Sequence, residues 1–256
     1  YNPFDLLLLF DRREFKPYWF ETGTPTFLIK LLAERQAWLP ELGQAQADAE
    51  LLSTFDVGDI PSEALMFQAG YLTIDHQEHI GGEYFYRLRF PNQEVFQSLG
   101  SSLLRAWTAN SGAEIKNRIA LYRLLEANDF SGMQGLITAF FASIPNDWYR
   151  NNPIAQYEGY YASVFYAYFA ALGLDLTVED SSNQGRLDMA LKFDGHIYLF
   201  EFKVVEFTPE GRALQQIKDR GYADKYRALG QPIHLIGVEF SKESRAVVGF
   251  EVETLT

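Results

Sequence analysis

Cysteine is absent from this chain, and its absence excludes several kinds of site at once. Without thiols there can be no disulfides, no thiolate-bound metal and no cysteine nucleophile. The sequence has only four histidines, and their positions show no zinc-ligand spacing: His76, His79, His196 and His234. A chain without cysteine is typical of a reducing compartment, so we predict a cytoplasmic protein.

Long apolar runs are also missing. A helix needs ~18 consecutive apolar residues to span a bilayer, and the run at residues 6–10 is far shorter. We therefore expect no membrane segment, and we find no pattern of a signal peptide. The chain begins at Tyr1 instead of methionine, so we expect it to be a fragment of a longer protein.

Positive charge is scarce, because the net charge is −12. A surface that binds nucleic acid non-specifically is usually basic, so this acidity argues against tight binding of that kind. It does not exclude phosphodiester chemistry, because a bound metal ion can supply local positive charge. With 256 residues, 47% of them hydrophobic and 16% aromatic, the chain can bury the core of one large or two modest domains.

Residues 1–150 are predicted to form a mostly helical domain with one β-hairpin. Strands are predicted over residues 71–75 and 83–90, joined by a polar loop that contains glycine. The predicted helices cover residues 26–38, 61–67, 94–107, 113–127 and 131–143. The order helix, hairpin, helix resembles part of a winged-helix domain, a fold that binds DNA or serves as a spacer between proteins.

Turn-forming residues between 145 and 153 indicate a domain boundary, and residues 151–256 are predicted to form a second domain. We predict helices over 157–172 and from Glu210 to about Leu229. The predicted strands cover residues 175–179, 186–193, 196–205, 232–240 and 245–253. The resulting α-β-β-β-α-β-β order is that of an α/β domain with a mixed sheet.

A two-residue turn in this second domain brings three charged residues together. Asp194-Gly195 lies between two β-rich runs and predicts a type I′ hairpin turn. Counting back from that turn places Asp188 opposite Glu201, with Cβ atoms roughly 5 Å apart. Lys203 shares the face of Glu201, because side chains alternate along a strand. The runs around these charges are too apolar for a solvated edge strand, so the charges indicate a functional site.

Two carboxylates and a lysine on one strand face suit divalent-metal hydrolysis of phosphodiesters. Mg²⁺ prefers carboxylate oxygens, so Asp188 and Glu201 are predicted as ligands, with the carbonyl of Phe202 as a third. Lys203 is predicted to position the attacking water, to balance charge on the phosphorane or to act as a base. A retaining glycosidase is a weaker alternative, since it also uses carboxylates ~5 Å apart.

A further carboxylate, Glu158, lies in the first turn of the helix predicted over 157–172. One interpretation is structural, because a carboxylate in the first turn interacts favourably with the helix dipole. Glu158 also leads the apolar stripe of that helix, from which it could reach the metal or its water. Gln215 and Gln216 lie early in the last predicted helix, where the pattern alone indicates a polar helix face.

The motif GRLD followed after twelve residues by EFK, behind a helix with an early glutamate, resembles the PD-(D/E)xK nuclease superfamily. The segments YEGYYASVFYAYFAALGLDL, EDSSNQGRLDMAL, YLFEFKVV and QQIKDRGYADKY resemble more closely the nuclease-like domain that follows an AAA-type ATPase domain in bacterial and archaeal proteins. Near the start of the chain, the segments NPFDLLLLF and YWFETGTPTFL are similar to the segment that follows that ATPase core. The resemblance implies a restriction-endonuclease-like α-β-β-β-α-β core.

The same resemblance implies catalytic positions for Glu158, Asp188, Glu201, Lys203 and Gln216, with Gln215 as the alternative to Gln216. It implies a metal-dependent nuclease that uses Mg²⁺ or Mn²⁺ and cleaves DNA or RNA. It also implies an ATPase domain in the same full-length protein as a partner. No GxxxxGK[ST] loop occurs here, so this chain itself is not expected to bind ATP through a Walker motif. The alternative is a catalytically inactive nuclease fold that serves binding or docking.

Overall fold

The computed structural model describes residues 3–14, 18, 26–35, 42–54, 60–108, 111–144, 158–182 and 185–256. Contacts within the chain group it into two compact units, Tyr1–Ala106 and Trp107–Thr256. The boundary predicted near residue 150 falls among residues 145–157, outside the described residues, and it stays a prediction. Across the described ranges, no helix combines the length and apolar character needed to cross a membrane.

The first unit combines short helices with a three-stranded antiparallel sheet in the order β1-β3-β2. Its helices are α1 (Pro3–Arg12), α2 (Thr26–Arg35), α3 (Ala49–Ser53), α4 (Ser62–Gln68) and α5 (Gln93–Thr108). Its strands are β1 (Gln46–Asp48), β2 (Thr73–Ile80) and β3 (Glu83–Arg89). The predicted order of helix, hairpin and helix is present in α4, β2–β3 and α5, whereas the winged-helix identity stays a prediction.

Strand β2 is longer than predicted. We predicted a strand over residues 71–75 and then a polar loop, but the strand continues to Ile80 and the chain turns at Gly81-Gly82, both with positive φ. Beyond Thr73 every residue of β2 is exposed, so the alternation that marks a half-buried strand is missing. Backbone pairing with β3 defines this strand, and a periodicity argument could not detect it.

The second unit packs helices on both faces of a mixed five-stranded sheet with the order β4-β5-β6-β7-β8. Its helices are α6 (Ser111–Glu126), α7 (Phe130–Ala142), α8 (Glu158–Ala170), α9 (Arg212–Asp219) and α10 (Asp224–Arg227). Its strands are β4 (Asp175–Ser182), β5 (Gly185–Phe193), β6 (His196–Val205), β7 (Ile233–Ser241) and β8 (Val247–Leu255). Only the β6–β7 pair among these is parallel, which requires the crossover through α9 and α10. The predicted mixed sheet is confirmed.

The last predicted helix is in fact two helices. We predicted one helix from Glu210 to about Leu229, but α9 ends at Asp219 and α10 begins at Asp224. Gly221 between them has a φ of +54°, a left-handed conformation that cannot continue a right-handed helix. The break leaves α9 as a separate eight-residue helix whose position the sheet must determine.

The β5–β6 hairpin has the predicted turn and register. Asp194 and Gly195 both have positive φ, 47° and 74°, as a type I′ turn requires. Phe193 pairs with His196, and Leu191 pairs with Tyr198, as counted from the sequence. Turn chemistry and the two-residue period of strands therefore sufficed to align the hairpin.

Strand β6 is buried on both of its faces. On one face, the rings of Phe200 and Phe202 lie 5.4 and 4.8 Å from that of Phe165 in α8. On the other face, Ile197 and Leu199 belong to a buried cluster with residues of α9, α10 and β7. A strand covered on both sides is expected to be almost continuously apolar. The charges of Glu201 and Lys203 on this strand therefore need a specific explanation.

Candidate metal-dependent active site

The candidate site lies where β5 and β6 separate. Their ladder runs from the turn to Met189 paired with Phe200. Beyond that pair β5 stays with β4, while β6 continues along β7 as far as Val205. At the fork, the Asp188 carboxylate accepts a hydrogen bond of 2.8 Å from the N–H of Phe202. Asp188 thus anchors the two diverging strands, one residue beyond the last backbone pair. The predicted position of Asp188 directly opposite Glu201 therefore lies outside the paired ladder, and the hydrogen bond of Asp188 goes to the next residue, Phe202.

Glu201 is the central residue of the site and exposes only 1% of its surface. Its Oε1 lies 3.3 Å from Lys203 Nζ and accepts a hydrogen bond from Gln216 Nε2. Its Oε2 is buried and has no hydrogen-bond partner among the described residues. One half of this carboxylate is therefore held in place, while the other half remains available to a ligand.

The electrostatic state of Glu201 reflects this environment. Burial raises the pKa of Glu201 to about 8, and the nearby negative charge of Asp188 raises it too, while Lys203 lowers it. A carboxylate with a raised pKa, close to a second carboxylate and a lysine, is typical of a functional site. A bound cation would compensate the negative charge that the apolar surroundings disfavour.

The structure distinguishes between the two glutamines of α9. Gln216 is half-buried and donates to Glu201, whereas Gln215 is exposed and donates to Asp219 Oδ1 at 2.6 Å. Of the two, only Gln216 therefore contacts a predicted site residue. The sequence pattern could not choose between them, because adjacent residues on a helix point about 100° apart and the orientation of α9 was unknown.

Two other predicted positions are described only in part. Helix α8 begins at Glu158, but the side chain of that residue lies outside the described part of the chain. Phe202 is buried and gives its N–H to Asp188, while the role of its carbonyl as a metal ligand stays a prediction. The structure thus brings together Asp188, Glu201 and Lys203 with Gln216.

The donor set fits a hard divalent cation. Asp188 and Glu201 are neighbours at the fork, and the partnerless Oε2 of Glu201 is the buried oxygen that such a cation would satisfy. Among the described residues no group of three histidines, aspartates or glutamates could hold a metal. Two carboxylates match Mg²⁺, which keeps several waters and often binds through one or two carboxylates.

Sequence reasoning missed Glu239 and Gly237, two residues of β7 that support the site. Glu239 exposes only 2% of its surface, and its carboxylate accepts hydrogen bonds from backbone N–H groups at the start of α9. Gly237 pairs with Glu201 across the parallel β6–β7 ladder. A signal was present, because Glu239 interrupts the apolar run IHLIGVEFS in the way that Glu201 interrupts its own strand.

Comparison with known proteins relates the part of the chain that contains the candidate site to one superfamily. Residues 156–250 match the PD-(D/E)XK nuclease superfamily, a range that includes all of the predicted site positions. The chain is 66% identical over 255 residues to a protein from Azotobacter chroococcum mcd 1 named "Uncharacterized protein in vnfD 5'region". That match covers 100% of this chain and 49% of the relative, so the chain spans about half of the relative's length. The comparison with solved structures gave no match.

Proposed function

We propose that the second unit is a metal-dependent nuclease that hydrolyses phosphodiester bonds of DNA or RNA. The observation that carries the proposal is the buried Glu201 carboxylate, which has one partnerless oxygen and lies beside Asp188 and Lys203. Leaving a buried carboxyl oxygen without a hydrogen-bond partner is costly, and more so when the carboxyl is charged. Its presence inside a region that matches a nuclease superfamily supports a site that is completed by a cation.

The roles of the residues follow from their contacts. Asp188 and Glu201 would hold Mg²⁺ or Mn²⁺, which when bound polarises the scissile phosphate and acidifies water. Lys203, whose side chain is 20% exposed, can reach both Glu201 and the solvent-facing side of the site. Its ammonium group would orient the attacking water and balance the negative charge that builds on the phosphorane. Gln216 would hold Glu201 in the orientation that leaves Oε2 for the cation.

The resemblance of the chain to nuclease-like domains behind AAA-type ATPases supports a further part of the proposal. We propose that the full-length protein couples this nuclease to an ATPase domain. The curated relative is about twice as long as this chain, which leaves room for such a domain. DNA is the substrate to test first, because an ATP-driven partner domain suits the movement or separation of DNA strands.

The test is a thermal unfolding experiment with and without Mn²⁺ on three proteins: wild type, Asp188→Asn and Asp194→Asn. In Asp188→Asn the new amide keeps an oxygen that can accept the Phe202 N–H, so the fork should survive. Asp194→Asn removes a carboxylate from the other end of the same strand, in a turn position that asparagine tolerates. We expect Mn²⁺ to stabilise the wild type by ~2.7 kcal/mol at 100-fold excess over Kd.

The same shift is expected in Asp194→Asn, and none in Asp188→Asn. An equal shift in all three proteins would place the bound ion elsewhere and refute the proposed site. No shift in the wild type would favour the second candidate function, a nuclease fold that binds or docks without cleaving. The net charge of −12 motivates that second candidate, because it disfavours contact with a polyanionic substrate.

A further inference from the structure

Glu239 satisfies the backbone at the start of α9. Its Oε2 accepts hydrogen bonds from the N–H groups of Glu210 and Gly211 at 2.5 and 3.1 Å. Its Oε1 accepts from those of Arg212 and Ala213 at 2.6 and 3.3 Å. The last three are N–H groups that an α-helix cannot satisfy internally at its start, and Glu210 directly precedes the N-cap. A buried side chain from a strand therefore does what a local capping residue usually does.

Helix α9 depends on this external cap. Gly211 occupies its N-cap position with a φ of +69° and offers no side-chain hydrogen bond. An isolated helix of eight residues is far too short to be stable in water. The favourable interaction of a carboxylate with the helix N-terminus therefore also determines where the helix lies, because Glu239 is itself fixed in β7.

Gly237 fixes the distance between α9 and the sheet. A Cβ atom built on Gly237 would lie 2.3 Å from the backbone nitrogen of Leu214, so the helix backbone rests directly on the strand at this point. Gly237 is also the residue of β7 that pairs with Glu201 of β6. Helix α9 therefore approaches the sheet closely next to the central carboxylate of the candidate site.

Together these contacts form a continuous path from β7 to the site. Glu239 holds the first turn of α9, Gly237 lets the helix approach, and Gln216 in the next turn donates to Glu201 Oε1. We infer that Glu239 is a positioning residue of the candidate site: by anchoring α9 it keeps Gln216 on Oε1 of Glu201 and thereby leaves Oε2 for the cation. The part of this inference that concerns the cation rests on the proposed function.

The first test needs neither metal nor substrate. The side-chain NH₂ signals of Gln216 are assigned in a ¹⁵N NMR spectrum of the full chain by their loss in Gln216→Ala. They are then followed in Glu239→Gln and in the control Glu243→Gln, which alters an exposed carboxylate in the turn after β7. We expect the signals to move to the position of a solvated glutamine in Glu239→Gln and to stay unchanged in Glu243→Gln. Unchanged signals in Glu239→Gln would overturn the inference.

The second test asks whether Glu239 acts through Gln216 or only through general stability. Mn²⁺ dissociation constants are measured for the wild type, Glu239→Gln, Gln216→Ala and the double variant. Residues that orient a metal ligand typically change affinity by about 10-fold to 100-fold. We expect each single variant to weaken binding by about 10-fold and the double variant to be no weaker than Gln216→Ala. Additive effects would mean that Glu239 does not act through Gln216.

The two tests separate the two possible failures. A wild type that binds no Mn²⁺ would count against the proposed function, while the NMR result would still decide whether Glu239 positions Gln216. If Glu239→Gln does not fold, Gly237→Ala tests the same set of contacts at another residue, because its methyl group must displace α9. Unchanged Gln216 signals in a folded Gly237→Ala would overturn the inference equally.

Discussion

The two ends of the strand pair β6–β7 bury polar groups in opposite ways. At the hairpin end, His196 Nδ1 lies 2.8 Å from His234 Nε2, and His234 Nδ1 lies 2.9 Å from Thr254 Oγ1. At the fork end, Glu201 keeps one oxygen without a partner among the described residues. A hydrogen-bonded polar cluster can stabilise a fold, whereas a partnerless buried oxygen costs stability and indicates a ligand.

Two buried glutamates on adjacent strands sharpen this contrast. Glu239 and Glu201 are almost equally buried, at 2% and 1% exposure. Both oxygens of Glu239 accept backbone N–H groups, while Glu201 has side-chain partners on one oxygen alone. Burial therefore does not separate a structural carboxylate from a functional one, but the number and kind of hydrogen bonds do.

The largest expected effect tests whether the fork end is the functional one. Lys203→Met should lower Mn²⁺-dependent DNA cleavage by at least ~100-fold, because the variant loses a charged donor at the reacting phosphate. The matched control is Lys192→Met, which removes an exposed lysine at the hairpin end of β5 and should cleave like the wild type. Cleavage is measured on a labelled oligonucleotide. If both variants lose cleavage to the same extent, or if neither loses it, the fork end is not functionally different from the hairpin end.

The next prediction applies one substitution to both glutamates. In buffer with a chelator, Glu239→Gln should lower the free energy of unfolding by ~2 kcal/mol, because an amide group replaces a carboxylate that caps a helix. Glu201→Gln should raise it by ~1 kcal/mol, because it removes a buried carboxyl that on folding must either take up a proton or carry an incompletely paired charge. Urea unfolding measures both values. Changes of the same sign would show that the two carboxylates do not differ in the way their contacts indicate.

A smaller effect is expected at the hairpin end. The hydroxyl of Tyr198 donates to Asn128 Oδ1 at 2.7 Å, so Tyr198→Phe should lower the free energy of unfolding by ~1 kcal/mol. The Mn²⁺-dependent shift in melting temperature should be unchanged, because the hydroxyl bonds Asn128 at the hairpin end and not a residue at the fork. A reduced shift in this variant would mean that the two ends are coupled.

The smallest expected effect is the pH dependence of stability that comes from His234. Burial lowers the pKa of His234 to about 4, and His196 lowers it too. Between pH 4 and the unfolded value of ~6.5, the unfolded chain binds a proton that the folded chain does not. This contribution to stability is therefore complete above pH 6.5 and is lost as the pH falls towards 4.

Melting temperatures at pH 7.5 and 6.0 test this contribution. We expect His234→Gln to lose less stability than the wild type over this interval, by under ~1 kcal/mol. The control is His76→Gln, which alters an exposed histidine of β2 and should behave like the wild type. An identical loss in wild type and His234→Gln would show that His234 is not the group that titrates.

Much of the hairpin that carries the site could be predicted, because its signals are local. Asp194-Gly195 specifies the turn, and the two-residue period then assigns a face to the paired side chains of β5 and β6, from the turn to Met189 and Phe200. Other features had no local signal. The exposed strand β2 lacks the alternation of a half-buried strand, and the break at Gly221 depends on a backbone conformation that a single glycine permits but does not require.

The sequence by itself determined that Asp188, Glu201 and Lys203 lie close together, because neighbours along a hairpin are related by counting, although the ladder ends one pair before Asp188. Only the tertiary structure decided that Gln216, and not Gln215, reaches Glu201, and that Glu239 and Gly237 hold the helix that carries it. These contacts join α9 to β7. In sequence, Glu239 lies 26 residues or more from the residues whose N–H groups donate hydrogen bonds to it. Local periodicity carries no information on such pairs, since the parallel crossover that brings them together is a property of the folded sheet.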